Sequence, residues 1–458
     1  MEILRRNIKR AINFFVKDEI FYPLYITLIL VFTWLNWNNQ TMSGILPYYY
    51  DFKAYIESGF SSNYDFIKKN PTFPMWGYGF VLYLCSNKMI IVFSQLSLMV
   101  YNIIKWDQYI FKKYQSRTIF RIFVLLGFSL ILFNIPIWPY SFSSNFIALS
   151  LLLLLKINDE FSWWKLILAG ILQGIALNLR SDYFYFLFLL SIFLLLLYFL
   201  SKTKIKPIAT FIFFGISLLI LVPWMLHTHK FTGKYIPTST NGGHVLYIGL
   251  GQLPNNVWGI TPDDNDPKMV SLVNNKLGTR NTLDAKADSL LKLEFRTEIF
   301  AHPNSYIQKC LFSLYLTISR PFSLGEIESK FTKIESNDSV KLLIKNDIIN
   351  LDLKNLVVNI LNGKYSIFII PIFLNVINIF LYLFMISYIV YGLFRCKANL
   401  DFNLIIVLVV IFYQFCLQTF TFYNPNYHTN IYLFYILAVV MFNSHLEIRK
   451  LEKFASEA

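Results

Sequence analysis

Apolar runs of about twenty residues recur along most of this 458-residue chain, and they constrain its fold more than any other feature. A helix needs roughly twenty apolar residues to cross about 30 Å of hydrocarbon, because each residue advances it by about 1.5 Å. Only 15% of the residues are charged, whereas soluble domains carry about a quarter. The sequence therefore predicts an all-α polytopic membrane protein.

The apolar runs predict about ten transmembrane helices, within a range of roughly nine to twelve. They lie at residues 20–37, 87–104, 118–136, 143–155, 166–180, 183–200, 207–226, 366–394, 402–420 and 429–444. Residues 306–319 are apolar enough to touch the membrane but too short for a clear span. We expect an interfacial or re-entrant helix there.

Two long polar stretches, residues 38–73 and 227–365, interrupt the apolar runs and divide the chain. Residues 1–226 are expected to form an N-terminal membrane module, with residues 38–73 as its first outer loop. Residues 227–365 form a larger loop region on the same face. Residues 366–458 hold the last spans and a cytoplasmic tail.

The short connections between spans are strongly asymmetric in charge. Nineteen Lys and Arg residues lie in the N-terminal segment, the C-terminal tail and alternate short loops, whereas the opposite short loops (137–142, 181–182 and 421–428) contain none. Basic loops resist translocation, so they predict the cytoplasmic side. Both termini are then cytoplasmic, and both polar stretches face outward.

The net charge of +14 and the four cysteines exclude several classes of function. The basic residues are dispersed over loops without a recognition motif, so no nucleic-acid partner is expected. Anionic headgroups or a phosphate-bearing ligand fit this charge better. The cysteines lie in or beside apolar runs without a CxxC spacing, which indicates neither a disulfide framework nor a zinc site.

The first outer loop contains an amphipathic pattern around a carboxylate. Phe52, Tyr55 and Ile56 share one face at helical spacing and predict a helix on the outer surface. Asp51 is expected to begin that helix, where the helix dipole favours an anion. Asp51 is then either an ordinary N-cap or a general base held at the membrane–water boundary.

An arginine and an aspartate flank the turn after the fifth predicted span. Arg180 either reaches the outer headgroups, paired with Asp182, or binds a lipid phosphate through its forked guanidinium. Both interpretations stay open on the sequence.

The densest polar signal follows the seventh predicted span, at residues 223–249. Asn241, Gly242 and Gly243 follow a Thr-Ser-Thr run, and glycines let backbone amides approach an anion or a sugar closely. His227 and His229 could ligate a metal only in an irregular turn, because a helix would direct them apart. A later outer turn, residues 421–428, is polar and ends in Tyr427 and His428. Nucleophile-elbow, P-loop and dinucleotide-binding motifs are missing from the sequence.

Residues 223–249 resemble the segment after a mid-chain span in type-C (GT-C) glycosyltransferases. The similar branch is the bacterial one, which includes protein O-mannosyltransferases and aminoarabinose transferases. Shared features are a Pro-Trp pair, a Gly, a Pro and a Ser-Thr-Asn-Gly-Gly-like run. Other segments that resemble the family, in chain order, are residues 49–56, 70–78, 170–182 and 424–428.

This resemblance implies an enzyme of a bacterial inner membrane that moves a sugar from a polyprenyl phosphate to an acceptor hydroxyl on the outer face. The acceptor is a glycolipid, a cell-surface glycan or a protein. Asp51 would be the general base of an inverting transfer. The phosphate partners would be Arg180, Lys230, Arg320 and Lys53. Sugar or acceptor contacts would come from Tyr50, Tyr55, Asp182, Asn241, Gly242, Gly243, His244, Tyr427 and His428.

The chain departs from the family pattern at three points. His227-Thr228 replaces a frequent Arg-Asn pair, Asn145 replaces an acidic residue, and Asn426 replaces an arginine. A second acidic ligand is therefore missing, and a divalent metal stays open with His227 and His229 as weak candidates. The alternatives are a lipid-linked glycan polymerase or ligase, which would use outer-loop Arg and His, and a lipid or sugar transporter, which would carry charges deep in its spans.

Overall fold

The computed structural model of this protein describes residues 14–36, 46–61, 70–85, 87–127, 130–131, 134, 137–319, 354–355, 358, 369–396, 400–424 and 431–457. Within them every regular element is helical, which confirms the all-α prediction for this part of the chain. Seventeen helices are defined: α1 (Asp18–Asn36), α2 (Leu46–Glu57), α3 (Gly77–Leu84), α4 (Lys88–Tyr114), α5 (Arg117–Leu126), α6 (Pro139–Asp159), α7 (Trp163–Leu179), α8 (Tyr183–Phe199), α9 (Pro207–Leu219), α10 (Val222–Thr232), α11 (Gly242–Leu250), α12 (Pro267–Leu277), α13 (Ala285–Ala301), α14 (Pro303–Ser319), α15 (Ile369–Cys396), α16 (Phe402–Phe420) and α17 (Tyr432–Glu457).

Four of the described helices are long and apolar enough to cross a membrane: α4, residues Val376–Cys396 of α15, α6 and α16. A fifth candidate is the pair α9 and α10, which meet at a bend of 47°. The prediction of about ten spans is not confirmed. α7 and α8 contain 17 residues each, and such helices extend about 26 Å, less than the thickness of the hydrocarbon. The predicted span at residues 118–136 lies partly outside the described residues.

Small residues let α7 pack closely on α9 in the centre of the bundle. A Cβ at Gly174 would lie 2.6 Å from Cβ of Ile220, and one at Gly170 would lie 2.9 Å from Cγ2 of Ile216. Ser217 Oγ donates to the Gly170 carbonyl at 3.1 Å. Such close approaches are typical of helices packed in membranes, where dispersion contacts drive association. They fix the end of α7, which carries Arg180.

The basic connections meet at one end of the bundle. Asn158 at the end of α6 accepts hydrogen bonds from Thr203 Oγ1 and from the Lys204 amide, both at 2.8 Å. Asn403 at the start of α16 donates to the Tyr109 and Tyr114 hydroxyls at 2.9 Å. The structure thus brings together the ends of α4 and α6, the α8–α9 connection and the start of α16.

The two polar stretches meet at the opposite end. The Thr72 and Thr240 hydroxyls lie 2.7 Å apart, and Asn281 Nδ2 donates to Asn70 Oδ1 at 2.9 Å. A second, smaller apolar core lies among α11, α12 and α13 and includes Tyr247 and Leu291. Residues 227–319 therefore form a packed helical unit that contacts the end of the first loop at Asn70 and Thr72.

The segment expected to be interfacial or re-entrant forms α14. Ile307, Leu311 and Tyr315 are 57%, 62% and 57% exposed and form one apolar stripe at helical spacing. The opposite face packs on α16, and Thr317 accepts a hydrogen bond at 3.2 Å from the Tyr382 hydroxyl on α15. α14 therefore packs along α16, is bonded to α15 through Tyr382, and exposes an apolar stripe of its own.

Candidate functional site

The helix of the first polar stretch is present, but it begins earlier than the sequence predicted. α2 begins at Leu46, so Asp51 lies in the middle of the helix rather than at its first turn. The expectation that Asp51 begins the helix is therefore wrong, and the helix dipole does not act on it there. Phe52, Tyr55 and Ile56 share the buried face as predicted. That face packs against protein rather than resting on the outer surface.

An aromatic cluster around His227 receives the buried face of α2. The centroid of the His227 ring lies 5.0 to 6.0 Å from those of five other rings. These rings belong to Phe52, Tyr55, Trp76, Trp224 and Phe231. The Nε2 atom of His227 lies 2.6 Å from the Pro71 carbonyl oxygen. The cluster therefore joins both polar stretches and fixes the orientation of α2.

Two glycines of α3 bring α2 close to the end of α7. A Cβ at Gly79 would lie 2.8 Å from Cβ of Phe52, and one at Gly77 would lie 2.4 Å from the Asn178 carbonyl oxygen. No other residue fits at Gly77 without moving backbone, because the nearest atoms belong to the Asn178 carbonyl. α3 thus links α2, through Gly79, to Asn178, which lies two residues before Arg180.

Asp51 is a half-buried carboxylate without a partner in the described part of the chain. Burial raises the pKa of Asp51 above its ordinary value, because a charged carboxylate is costly where water is partly excluded. Its neighbour Tyr50 is 37% exposed. Lys53 on the same helix forms a weak pair with Glu57 at 3.5 Å. The carboxylate of Asp51 is therefore free to accept a proton.

Arg180 and Asp182 form a bidentate ion pair. The Nε and Nη2 atoms of Arg180 donate to the two carboxylate oxygens of Asp182 at 2.8 and 2.6 Å. The guanidinium carbon lies 3.5 Å from the centroid of the Tyr140 ring. The pair acts electrostatically on Tyr49 of α2, so it lies beside the helix that carries Asp51. The structure thus shows the ion pair with Asp182, and phosphate binding by Arg180 stays a prediction.

The Thr-Ser-Thr run after α10 joins the first loop to the Arg180 turn. The Ser239 and Ser181 hydroxyls lie 2.8 Å apart, and the Thr240 amide donates to the Thr72 carbonyl at 3.1 Å. Ser239 also donates to Asn241 Oδ1 at 2.6 Å. These consecutive residues therefore hold α2, the Arg180 turn and the outer helices in one arrangement.

The paired glycines have a packing role in this structure. A Cβ at Gly243 would lie 2.2 Å from the Asp288 carbonyl oxygen, and the Gly243 amide donates to Asp288 Oδ1 at 2.6 Å. Gly242 faces the side chain of Lys292, whose Nζ is bonded to Asp288 Oδ2 at 2.6 Å. The glycines let α11 approach α13 closely. The Gly243 amide, which the sequence suggested for an anion or a sugar, is hydrogen-bonded to Asp288 instead.

His227, His229 and His244 do not converge on a common point. His227 and His229 both lie on α10, and the ring of His229 stacks on Tyr235 at 4.3 Å, away from the aromatic cluster. His244 is buried, with Nδ1 3.0 Å from Thr282 Oγ1 and Nε2 3.1 Å from Asp264 Oδ1. The described residues hold no group of three or more His, Cys, Asp or Glu side chains arranged for a metal ion.

Three predicted site residues, Arg320, Tyr427 and His428, lie outside the described residues. The start of the turn that carries the last two is described. Gln252 after α11 exchanges hydrogen bonds with the backbone of Tyr423, at 2.9 and 2.8 Å. This turn therefore begins against the outer helices.

Sequence reasoning missed the residues that hold the site together. Tyr140, under Arg180, was not singled out. Trp76 and Trp224 beside His227, and Thr72 opposite Thr240, were noted only within segments that resemble the family, without a role in the site. The Pro-Trp pair at 223–224 and the Pro-rich run at 70–74 were the available signals. Neither indicates which distant residue it contacts.

Lys230 is exposed at the end of α10, and its ammonium group lies 5.5 Å from the centroid of the Phe231 ring. It acts electrostatically on His227, so its charge lies near the aromatic cluster. α2 thus lies near the Arg180–Asp182 pair. The aromatic cluster on which α2 packs lies near Lys230, at the end of α10.

No protein-family model, curated protein or solved structure matches this chain.

Proposed function

We propose that this chain is an integral membrane glycosyltransferase of the GT-C type. It would transfer a sugar from a polyprenyl phosphate to an acceptor hydroxyl at the outer face, with inversion at the anomeric carbon. The observation that carries this proposal is Asp51: a half-buried carboxylate without a described partner, on a helix of the first polar stretch that packs against His227 of the second. The finer topology, with about ten spans and both termini in the cytoplasm of a bacterium, belongs to the same proposal.

The chemistry requires a base for the acceptor but no strong acid for the leaving group. A polyprenyl phosphate leaves as a weak base, whereas an acceptor hydroxyl becomes nucleophilic as its proton is removed. Asp51 would take that proton as the hydroxyl oxygen attacks the anomeric carbon and the bond to phosphate oxygen breaks. Partial burial makes the carboxylate a stronger base, because it raises its pKa.

The departing phosphate requires positive charge nearby. Arg180 is held rigidly by Asp182 and Tyr140, which suits a residue that orients a phosphate but leaves little net charge. Lys230 and Lys53 would add that charge from α10 and α2. Arg320 has the same role in the sequence-based hypothesis. Asp182, Tyr50 and the polar turn at 421–428 would contact the sugar or the acceptor.

Replacing Asp51 tests the proposal. We expect Asp51→Asn to lower transfer from a radiolabelled polyprenyl-phosphate sugar by at least about a hundredfold, the usual loss for a general base. Glu57→Gln is the matched control, since Glu57 lies on the same helix and is half-exposed. It should retain wild-type transfer. Melting temperatures at pH 7 would exclude misfolding, and Asp51→Asn should melt no lower than wild type.

Retained activity in Asp51→Asn would exclude the base mechanism and favour a polymerase or ligase that relies on outer-loop Arg and His. Loss of transfer in both variants would show that α2 matters only as a packed helix.

A further inference from the structure

A basic cavity of about 410 Å³ lies at the end of the bundle opposite Asp51. It is formed by the end of α4, the end of α6 and the start of α7. Four lysines and two acidic residues line it: Lys112, Lys113, Lys156, Lys165, Asp159 and Glu160. Gln108 and Tyr109 complete the lining. Its volume lies in the usual range for small-molecule sites, about 300–1,000 Å³.

The charge in this cavity is only partly compensated. Lys113 pairs with Asp159, which also accepts a hydrogen bond from the Tyr109 hydroxyl at 3.2 Å. Lys112, Lys156 and Lys165 have no ion pair with any described residue. Lys105, Lys112 and Lys165 all act electrostatically on Lys156. Like charges held together in a recess are costly without an anion between them.

Exposed aromatic residues border the cavity on the side of α7. Trp163 and Trp164 at the start of α7 are 51% and 61% exposed, and Phe161 before them is 43% exposed. The exposed surface of α7 continues with Ile167 and Leu168. Exposed Trp residues followed by an apolar surface are typical of the membrane–water interface. The cavity therefore opens at the depth of lipid headgroups.

We propose that this cavity binds the phosphate headgroup of an anionic phospholipid. Lys112, Lys156 and Lys165 would contact the phosphate oxygens, and Trp163 and Trp164 would contact the glycerol and the start of the acyl chains. Basic recesses between membrane helices on the cytoplasmic side are suited to such headgroups. This site is separate from the proposed transfer site and does not depend on that reaction.

The test is native mass spectrometry of the full-length protein titrated with phosphatidylglycerol or phosphatidylcholine. We expect preferential retention of phosphatidylglycerol, weakened about a hundredfold in the triple variant Lys112→Gln/Lys156→Gln/Lys165→Gln, since each lysine near an anionic surface contributes about fivefold. Lys204→Gln/Lys206→Gln is the control. It removes two exposed lysines from the same end without altering the cavity, and its binding should equal wild type.

Wild-type retention of phosphatidylglycerol by a folded triple variant would overturn the proposal. So would displacement of the lipid by inorganic phosphate at similar affinity, which would identify free phosphate as the ligand. Should the triple variant fail to fold, Lys165→Gln and Trp163→Ser/Trp164→Ser replace it. The lysine change should weaken both lipid and phosphate binding, and the tryptophan change should weaken lipid binding only.

Discussion

Asp51 has lost part of its hydration without gaining a described partner. This loss determines the pH at which its carboxyl group ionises. Burial raises its pKa above the ordinary value of 3.8, so the folded state favours the protonated form. The stability that Asp51 contributes is therefore full below pH 3.8 and is lost as the pH rises through the folded pKa. At neutral pH the ionised group lowers stability, which is typical of residues kept for chemistry rather than packing.

The pH dependence of the transfer rate should report the ionisation of the Asp51 carboxylate. We expect an acidic limb in kcat/KM whose midpoint lies above 3.8, because only ionised Asp51 accepts the acceptor's proton. Glu57→Gln should keep the same midpoint. The measurement is initial transfer rate against pH with saturating acceptor and limiting donor. An unchanged limb in the residual activity of Asp51→Asn would assign it to another group.

α2 illustrates at the scale of elements what the sequence can predict. The pattern at 52, 55 and 56 predicted the helix and its buried face, because apolar spacing reports which side leaves water. It did not predict the start of the helix. Pro47, in the first turn, was the available signal, since Pro is favoured there. The partners of the buried face, Trp224 and His227, follow only from tertiary packing.

The paired glycines and the spans show the same limit. Glycine predicts a close approach, but the sequence does not show whether a ligand or a helix approaches. At Gly243 it is α13. Hydropathy likewise identifies apolar residues but not helix length, so α7 and α8 were expected as full spans.

The contact between α3 and α7 should tolerate no added atom at Gly77. We expect Gly77→Ala to destabilise the protein by about 1–3 kcal/mol, because the new Cβ would overlap the Asn178 carbonyl. Gly215→Ala in α9 is the control, since a Cβ there meets nothing within 4 Å. It should be neutral or stabilising by about 1 kcal/mol. Thermal unfolding in detergent measures both, and equal melting temperatures would contradict the close contact.

A buried lysine of α14 binds the end of α16, beside a hydrogen bond from the Tyr306 hydroxyl to the Phe420 carbonyl at 2.9 Å. Lys309 is fully buried, and its Nζ donates to the Thr419 and Thr421 carbonyls at 3.1 and 2.5 Å. These carbonyls lie at the C-terminus of α16, where the helix dipole favours a cation. Lys309 therefore satisfies acceptors that the helix itself leaves unpaired.

Replacing this lysine should separate the two helices. We expect Lys309→Met to destabilise the protein by about 2 kcal/mol, because two charge-assisted bonds are lost and the carbonyls stay buried. Lys276→Met is the comparison, since its pair with Glu294 is exposed and such pairs contribute at most about 1 kcal/mol. Chemical unfolding monitored by fluorescence measures the difference. Equal effects would mean that Lys309 is not a structural anchor.

The whole molecule has two chemically distinct ends, and its orientation can be measured. In a variant without the four native cysteines, we expect Glu57→Cys to react with a membrane-impermeant maleimide in intact cells. Lys204→Cys should react only after permeabilisation, because basic connections stay in the cytoplasm. Both positions are exposed. The reverse pattern would place Asp51 in the cytoplasm and exclude an outer-face transferase.

The contact between Thr72 and Thr240 also determines when the first loop can reach its native packing during translation. The two hydroxyls are 168 residues apart in the chain, and ribosomes add about 5–20 residues per second. Roughly ten to thirty seconds therefore pass between synthesis of Thr72 and synthesis of Thr240, and during this time the buried face of α2 is uncovered. Asp51 reaches its final surroundings only after the helices between α2 and residue 240 have been synthesised. A nascent chain truncated before residue 240 would carry the carboxylate but not its environment.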